Sequence, residues 1–243
     1  MVISSATCEA LLGLAVPVYN EENWLDGIFE QLLAQPEVAQ VVVVDDGSTD
    51  HSWAKIVRWS GADARVTAIQ HPGNQGKGAA IRTALKLLTT PLVLIQDADL
   101  EYSPRDFPRL IAPILAGSAE VVYGTRIAAM AGTNPCWHTF GNKLLTFLCN
   151  HITGLNLTDE ATCYKLFKRE VIQQIHLEES GFGFCPEVTA KLGKLVRTGQ
   201  ARLLEVPINY QGRTWKQGKK IRIHDGINAI RCAWKYSRNS RSA

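Results

Sequence analysis

The sequence predicts a doubly wound α/β fold, in which helices cover both faces of a mostly parallel sheet. Short runs rich in β-branched residues alternate with longer amphipathic stretches through the first half of the chain. Several of these short runs are almost entirely apolar, which is typical of strands covered on both faces. The 243 residues are 46% hydrophobic and 20% charged, which suffices for the core of one large domain and excludes a disordered chain.

Local signals predict each element in turn. Strands are expected at residues 12–18, 41–44, 65–70, 92–96 and 120–123, and helices between them at residues 22–35, 52–60, 78–88 and 104–116. Start signals precede three of these helices, namely Asn20, the run 48–50 and Ser103 with Pro104. After Tyr123 the pattern weakens to a loop at residues 128–138, a helix at 141–151 and a strand at 201–208. We therefore expect a single domain, residues 1–220, with a basic C-terminal extension, residues 221–243.

The charge of the chain is unevenly distributed. Residues 1–196 contain 15 Lys and Arg against 21 Asp and Glu, whereas residues 197–243 contain 11 against 2. The basic segment predicts an anionic partner such as phosphate, a membrane surface or nucleic acid, although a solvated helix without a partner fits equally well.

The sequence predicts a cytoplasmic protein. Its six cysteines have no CxxC spacing, so neither a disulfide framework nor a zinc site is expected. The first basic residue is Lys55, which is unlike a signal peptide, and no apolar stretch is long enough to span a bilayer.

Acidic residues cluster directly after three predicted strands, where ligands of doubly wound sheets bind. They are Glu21, Glu22, Asp45, Asp46, Asp97 and Asp99. Asp97 and Asp99 are two residues apart, so they can point to the same side, with Glu101 continuing the row. Carboxylates in this pattern suit Mg²⁺, which completes its shell with water and phosphate oxygens. A short Asp-x-Asp also occurs in capping turns, but its place behind a buried strand favours a metal site.

The glycine-rich segment 71–78 does not fit a phosphate-binding loop, because Gly78 stands where that loop requires Ser or Thr. A turn that opens the next helix is the favoured interpretation, although Lys77 can still point toward a nucleotide. No Gly-x-Gly-x-x-Gly follows the first strand, so a dinucleotide-dependent enzyme is not expected.

Several segments, in order and spacing, resemble those of the inverting family 2 glycosyltransferases with a GT-A fold. The resemblance is strongest to the dolichyl- or polyprenyl-phosphate mannose synthase branch. It is carried by residues 16–22, 43–50, 74–78 and 97–99, and by later segments at 123–126, 182–187 and 213–220.

This resemblance implies transfer of mannose or glucose from a GDP- or UDP-linked donor to dolichyl or undecaprenyl phosphate. It implies Mg²⁺ or Mn²⁺ bound by Asp97, Asp99 and Glu101. The implied donor-binding residues are Pro17, Tyr19, Glu21, Asp46, Lys77, Asp97, Ala98, Asp99, Arg126, Arg213 and Lys219. The implied catalytic residues are Asp159, Arg126 and Arg213.

The acceptor stays open at this point. Compared with the better-known synthases, the chain lacks C-terminal transmembrane helices and has His138 and Lys143 where relatives carry arginine for the lipid phosphate. Thr162-Cys163-Tyr164 also replaces a Ser-Gly-aromatic segment. A phosphate acceptor is already anionic, whereas a soluble or glycan hydroxyl acceptor needs a general base, for which Asp159 or Glu160 is the candidate. A surface turn at residues 159–160 is an equal alternative.

Other functional classes explain the sequence less well. A nucleotidyltransferase would be expected to carry a glycine-rich, arginine-containing loop after the first strand, and residues 17–22 do not. A nucleic-acid module leaves the strand-end carboxylates unexplained, so no nucleic-acid partner is expected.

The C-terminal extension predicts peripheral attachment to an anionic membrane. Its apolar residues follow helical spacing between basic ones: Ile223, Ile227, Ile230 and Trp234. A terminal helix packed on the domain fits the same pattern.

Overall fold

The computed structural model describes residues 10–130, 137–213 and 223–238. Its strands are β1 (Leu12–Val18), β2 (Val38–Asp45), β3 (Val66–Gln70), β4 (Leu92–Ile95), β5 (Val121–Thr125), β6 (Lys165–Lys168) and β7 (Leu203–Pro207). Its helices are α1 (Leu25–Leu33), α2 (Ser52–Ala62), α3 (Lys77–Leu87), α4 (Phe107–Leu115), α5 (Ile127–Met130), α6 (Trp137–Thr153), α7 (Arg169–Ile172), α8 (Phe184–Arg197) and α9 (Ile223–Arg238). A short 3-10 turn, Pro104–Asp106, precedes α4.

The seven strands form one sheet in the order β3-β2-β1-β4-β6-β5-β7. The first four in this order are parallel, β6 runs antiparallel to both β4 and β5, and β7 is parallel to β5. The strand order reverses between β1 and β4, so the carboxyl ends of β1, β2 and β4 lie side by side at the point where such folds bind ligands. The prediction of a doubly wound, mostly parallel α/β sheet is confirmed.

The apolar runs form strands because each is buried on both faces. Val41 and Val43 belong to the larger core cluster on one face, whereas Val42 and Val44 pack with Ala80 of α3 in the cluster on the other. A strand without a solvent face can be apolar at every position, which is the pattern that the sequence shows.

Several boundaries differ from those predicted. Helix α1 begins at Leu25 and not at residue 22, because the residues before it are held in a turn: the Trp24 amide donates to the Glu21 carbonyl at 2.9 Å. Helix α6 extends the predicted helix 141–151 at both ends. The predicted loop 128–138 lies partly outside the described residues, and α5 and α6 include its two ends.

The C-terminal helix α9 packs against the rest of the protein. Cys232 and Tyr236 of α9 form a small buried cluster with Ala190 of α8, while Trp234 is 53% exposed. This agrees with a terminal helix packed on the domain, and the division at residue 220 stays a prediction. Within the described ranges, every helix is too short or too polar to cross a bilayer.

Candidate active site

Arg213 joins three acidic residues at the carboxyl edge of the sheet. Its guanidinium lies 2.8 Å from Glu21, which follows β1, and 2.5 Å from Asp99, which follows β4. Its backbone amide donates to Glu101 at 2.7 Å. Trp24 flanks it, with the guanidinium carbon 5.8 Å from the ring centroid. Arg213 comes late in the sequence, yet it contacts residues that follow β1 and β4 and so forms part of the predicted donor site.

Lys77 is the second cation of this cluster. It is the first residue of α3, and its ammonium nitrogen lies 2.5 Å from Asp97. Burial opposes the charge of this group, but Asp97 still raises the pKa of Lys77 well above its ordinary value. Burial likewise opposes ionisation of Asp97, and Lys77 lowers the pKa of that carboxyl. The two form a charged pair.

The cluster contains more negative than positive charge. Four carboxylates face two cations: Glu21, Asp97, Asp99 and Glu101 against Lys77 and Arg213. Burial, and after it the charge of Asp97, raises the pKa of Asp99 to about 7, although Arg213 opposes the shift. Asp99 is therefore the carboxyl group in this cluster whose protonation relieves the excess negative charge.

The residues fit a divalent cation that takes few protein ligands. In residues 10–130, 137–213 and 223–238, three or more His, Cys, Asp or Glu side chains do not converge on a position that could hold an ion. Glu101 is engaged elsewhere, because it accepts hydrogen bonds from the Arg213 amide and from the Tyr210 hydroxyl, the latter at 3.0 Å. Asp97 and Asp99 can offer one or two carboxylates, and Mg²⁺ commonly takes its other ligands from water and a diphosphate.

A second buried ion pair joins Arg126, which follows β5, to Asp159, which precedes β6. Two guanidinium nitrogens donate to the two oxygens of Asp159 at 2.6 and 2.7 Å, and the Arg126 backbone amide donates at 3.0 Å. Asn142 adds a fourth hydrogen bond to Asp159 at 3.0 Å. Burial opposes ionisation, but these bonds, led by those from Arg126, lower the pKa of Asp159. The carboxylate is thus fully used in orienting Arg126, and only two of the five guanidinium N–H donors take part in this ion pair.

Tyr210 links the two ion-pair clusters. Its hydroxyl donates to Glu101, while Arg126 lies over its ring, 5.1 Å from the centroid. Tyr210 was not among the site residues predicted from the sequence, although it lies just after β7 at the same edge of the sheet. Ligands bound at the two clusters would therefore be neighbours.

Asp46 holds a loop together. It accepts hydrogen bonds from the backbone amides of Gln75 at 3.0 Å and Gly76 at 2.7 Å, and His71 Nδ1 lies 2.7 Å from it. It thereby fixes the turn that leads into Lys77. The role implied for it in a nucleoside pocket stays a prediction.

Gly47 permits this loop to approach. Its φ is +72°, and a Cβ atom there would lie 2.5 Å from the carbonyl carbon of Gly73. The segments after β2 and β3 therefore lie in direct backbone contact, which only glycine allows at this position.

The other predicted site residues have simpler positions. Pro17 pairs with Val44 in the β1–β2 register, Tyr19 follows the end of β1, and Ala98 is buried between the two aspartates. Lys219 lies outside the described residues.

Glu160 points away from solvent. It is 1% exposed, and burial raises the pKa of its carboxyl. Among the described residues, no hydrogen-bond donor meets either carboxylate oxygen. Such a group is poorly placed to take a proton from a substrate hydroxyl.

Comparison with known proteins assigns the family. The sequence model of glycosyl transferase family 2 matches residues 14–176, about two thirds of the chain. The chain belongs to glycosyl transferase family 2. The match contains the strand-end carboxylates and Arg126 with Asp159, whereas Arg213 lies beyond it.

Relatives of this glycosyl transferase include enzymes named for polyprenyl phosphates. It is 26% identical over 208 residues to a dodecaprenyl-phosphate galacturonate synthase of Rhizobium johnstonii, covering 79% of this chain and 59% of the relative. It is 28% identical over 239 residues to a UDP-N-acetylglucosamine–dolichyl-phosphate N-acetylglucosaminyltransferase of Methanococcus voltae, covering 88% and 92%. It is 27% identical to a low-salt glycan biosynthesis hexosyltransferase of Haloferax volcanii, of which it spans 48%. The chain thus spans about half the length of two of these relatives.

Solved structures confirm the fold of this glycosyl transferase. A mannosyl-3-phosphoglycerate synthase from Rubrobacter xylanophilus superimposes with a TM-score of 0.74 at 16% identity, covering 96% of this chain and 76% of that one. A glucosyl-3-phosphoglycerate synthase from Mycobacterium tuberculosis in complex with Mn²⁺, UDP and phosphoglyceric acid gives 0.68 at 17% identity, covering 95% and 81%. At such identities the likeness concerns the fold alone, and the expected GT-A fold is confirmed.

Proposed function

We propose that this family 2 glycosyl transferase moves a hexose from a nucleoside diphosphate sugar to a polyprenyl phosphate, with a divalent cation at the donor. The observation that carries the proposal is the saturated Asp159. Because four hydrogen bonds occupy this carboxylate, it is a poor general base, and Glu160 is buried. Because neither of these two candidate bases is free, the site suits an acceptor that is already ionised, and a phosphate monoester is one.

We assign one ion-pair cluster to the donor and the other to the acceptor. Lys77 and Arg213 would bind the donor diphosphate, and Arg126, held by Asp159, would bind the acceptor phosphate. An acceptor phosphate oxygen would bond to the anomeric carbon as the bond from that carbon to the donor β-phosphate breaks. The electron pair leaves with the nucleoside diphosphate, and fixed cations stabilise its developing charge. When bound, a divalent cation on Asp97 and Asp99 would add to this stabilisation.

Helix α6 supports the choice of a lipid acceptor. Leu144 and Phe147 of α6 are 48% and 67% exposed, and the same helix carries Asn142, which contacts Asp159. A helix that carries exposed apolar side chains and also contacts the Arg126–Asp159 pair would suit an acceptor with a phosphate head and an isoprenoid chain. Two of the relatives described above are named for acceptors of this class.

The direct test offers the protein a panel of UDP- and GDP-linked sugars with Mg²⁺ or Mn²⁺, with and without a polyprenyl phosphate. Release of nucleoside diphosphate that requires the polyprenyl phosphate supports the proposal. Release of nucleoside diphosphate with soluble hydroxyl acceptors, and none with the polyprenyl phosphate, would contradict the proposal and indicate a hydroxyl acceptor.

Divalent cations should stabilise the protein in a pH-dependent manner. The folded state holds the Asp99 proton up to about pH 7, whereas the unfolded state releases it near the ordinary value of 3.8. The contribution of Asp99 to the free energy of unfolding therefore falls as pH rises from about 4 to 7, and cation binding restores it. We expect Mn²⁺ to raise Tm more at pH 8 than at pH 5.5, as measured by thermal denaturation. Asp99→Asn should abolish the difference, and an equal Tm shift at both pH values would contradict the assignment.

Helix α9 should bind anionic vesicles. Trp234 and Arg231 are exposed on it, and each basic residue near an anionic surface contributes about 1 kcal/mol. We expect the protein to float with phosphatidylserine vesicles at low salt and to dissociate as salt rises. The variant Arg231→Glu with Trp234→Ser should float less. Substitution is preferable to truncation, because Ala233 and Tyr236 of the same helix are buried.

The matched control is Arg105→Glu, which reverses an exposed charge outside α9. It should float like the wild-type protein. Wild-type protein that stays unbound at low salt would refute peripheral attachment through α9.

A further inference from the structure

The segment 178–181 lies in backbone contact with the start of α3. A Cβ atom on Gly76, whose φ is +99°, would lie 2.4 Å from the Ser180 carbonyl oxygen. A Cβ atom on Gly78 would lie 2.3 Å from the carbonyl oxygen of Glu179. Both approaches require glycine, one on each side of Lys77.

Hydrogen bonds connect the segment 178–181 to α3. The Ala79 amide donates to the Ser180 carbonyl at 3.0 Å, and Arg82 donates to the Glu178 carbonyl at 2.9 Å and to the Ser180 hydroxyl at 3.2 Å. Lys77 is two residues from the first of these bonds and begins the same helix. The place of its ammonium group therefore depends on where the segment 178–181 lies.

Glu187 of α8 holds this segment from behind. It is completely buried, and its two carboxylate oxygens each accept one backbone amide, from Glu178 at 2.7 Å and from Glu179 at 2.8 Å. Lys191 donates to it at 2.7 Å and compensates its charge. A buried carboxylate that receives two backbone amides and an ammonium group is a rigid anchor.

We infer that Glu187 is a positioning residue that sets Lys77 for the donor diphosphate through the segment 178–181. The inference rests on the proposed function, which assigns Lys77 to the donor. Glu187 touches neither Lys77 nor, on this assignment, the substrate. It fixes the surface on which the first turn of α3 rests, and a charged hydrogen bond loses strength steeply when its donor is displaced.

The test is Glu187→Gln in a double-mutant cycle with Lys77→Met. Glutamine keeps the shape but replaces one acceptor oxygen with an NH₂ group, so one amide of the segment loses its partner. We expect the Kd for UDP or GDP with Mn²⁺, measured by calorimetry, to rise about tenfold. The KM for polyprenyl phosphate should not change. In the Lys77→Met background the same substitution should add less than about twofold.

Arg82→Met tests the link from the other side. It removes bonds between α3 and the segment without disturbing a buried carboxylate, so it stays informative if Glu187→Gln does not fold. It should also weaken nucleotide binding in a manner that is non-additive with Lys77→Met. Glu170→Gln, at an exposed position on α7, is the matched control and should leave the Kd unchanged.

The outcomes separate this inference from the proposed function. Fully additive effects of Glu187→Gln and Lys77→Met, or an equal rise of the acceptor KM, would overturn the positioning role alone. Wild-type protein that binds no nucleoside diphosphate would overturn the proposed function and the inference together.

Discussion

Asp99→Asn should reduce kcat/KM for the nucleotide sugar by at least about 100-fold while leaving the fold intact. On the proposed function, this carboxylate would hold the cation and, through it, the donor diphosphate. Asparagine removes a negative charge from a cluster in which carboxylates outnumber cations, and Arg213 keeps its contact with Glu21. We therefore expect Tm without added cation to stay equal or to rise.

Loss of activity with unchanged or increased stability distinguishes a ligand from a structural residue. The matched control is Glu30→Gln, an exposed position of α1, which should change neither quantity. Full turnover by Asp99→Asn, or by wild-type protein in excess chelator, would contradict the cation assignment.

Arg126→Lys should reduce turnover with polyprenyl phosphate by about 100-fold, since a buried charged hydrogen bond at a transition state contributes about 2–4 kcal/mol. Lysine preserves the charge beside Asp159 but cannot donate two parallel hydrogen bonds to it and still present a fixed N–H group to a phosphate. Alanine is a poorer choice, because it would leave Asp159, which is 1% exposed, without its cation.

The comparison that decides the role of Asp159 uses steady-state kinetics of Asp159→Asn. If the carboxylate orients Arg126, Asp159→Asn should displace the guanidinium and lose activity to within about tenfold of the loss expected for Arg126→Lys. The pH profile of the remaining activity should not change. If Asp159 were a general base, the variant would instead lose the acidic limb of that profile, which reports protonation of the base. The control Arg105→Lys should match the wild type in both assays.

The parallel half of the sheet could be predicted because its signals are local. The strands around residues 12–18 and 41–44 are buried on both faces, so their apolar runs appear in any short window. The carboxylates at their ends follow from the rule that places ligands beyond parallel strands.

The strand β6 was not predicted because it has little of that signal. It is four residues long, begins and ends with lysine, and depends on β4 and β5 for its pairing. It also runs antiparallel, so its beginning, and not its end, lies at the functional edge. For this reason Asp159 reaches the site from the segment before a strand, whereas the rule for parallel strands considers only the segments that follow them.

The contacts that organise the site were also beyond local patterns. Arg126 and Asp159 are 33 residues apart, and Arg213 and Glu21 are 192 apart. The resemblance named Asp159, Arg126 and Arg213, but only the fold reveals that one carboxylate is consumed in holding an arginine. Glu187 lay in a noted motif, yet its backbone partners depend on how α8 folds back on residues 178 and 179.

The pairing of Lys77 with Asp97 and of Arg213 with Asp99 makes the unliganded site an internal salt. On the proposed function, binding of the donor would be an exchange of counter-ions: its phosphates would take the two cations, and Asp97 and Asp99 would be left to hold a divalent cation. Because salt screens buried charges much less than exposed ones, we expect bulk electrolyte to have little influence on this step. The proposed attachment of α9 to a membrane would involve exposed charges and should weaken with salt. Ionic strength should therefore separate the two events experimentally: we expect donor turnover to persist at salt concentrations that release the protein from vesicles.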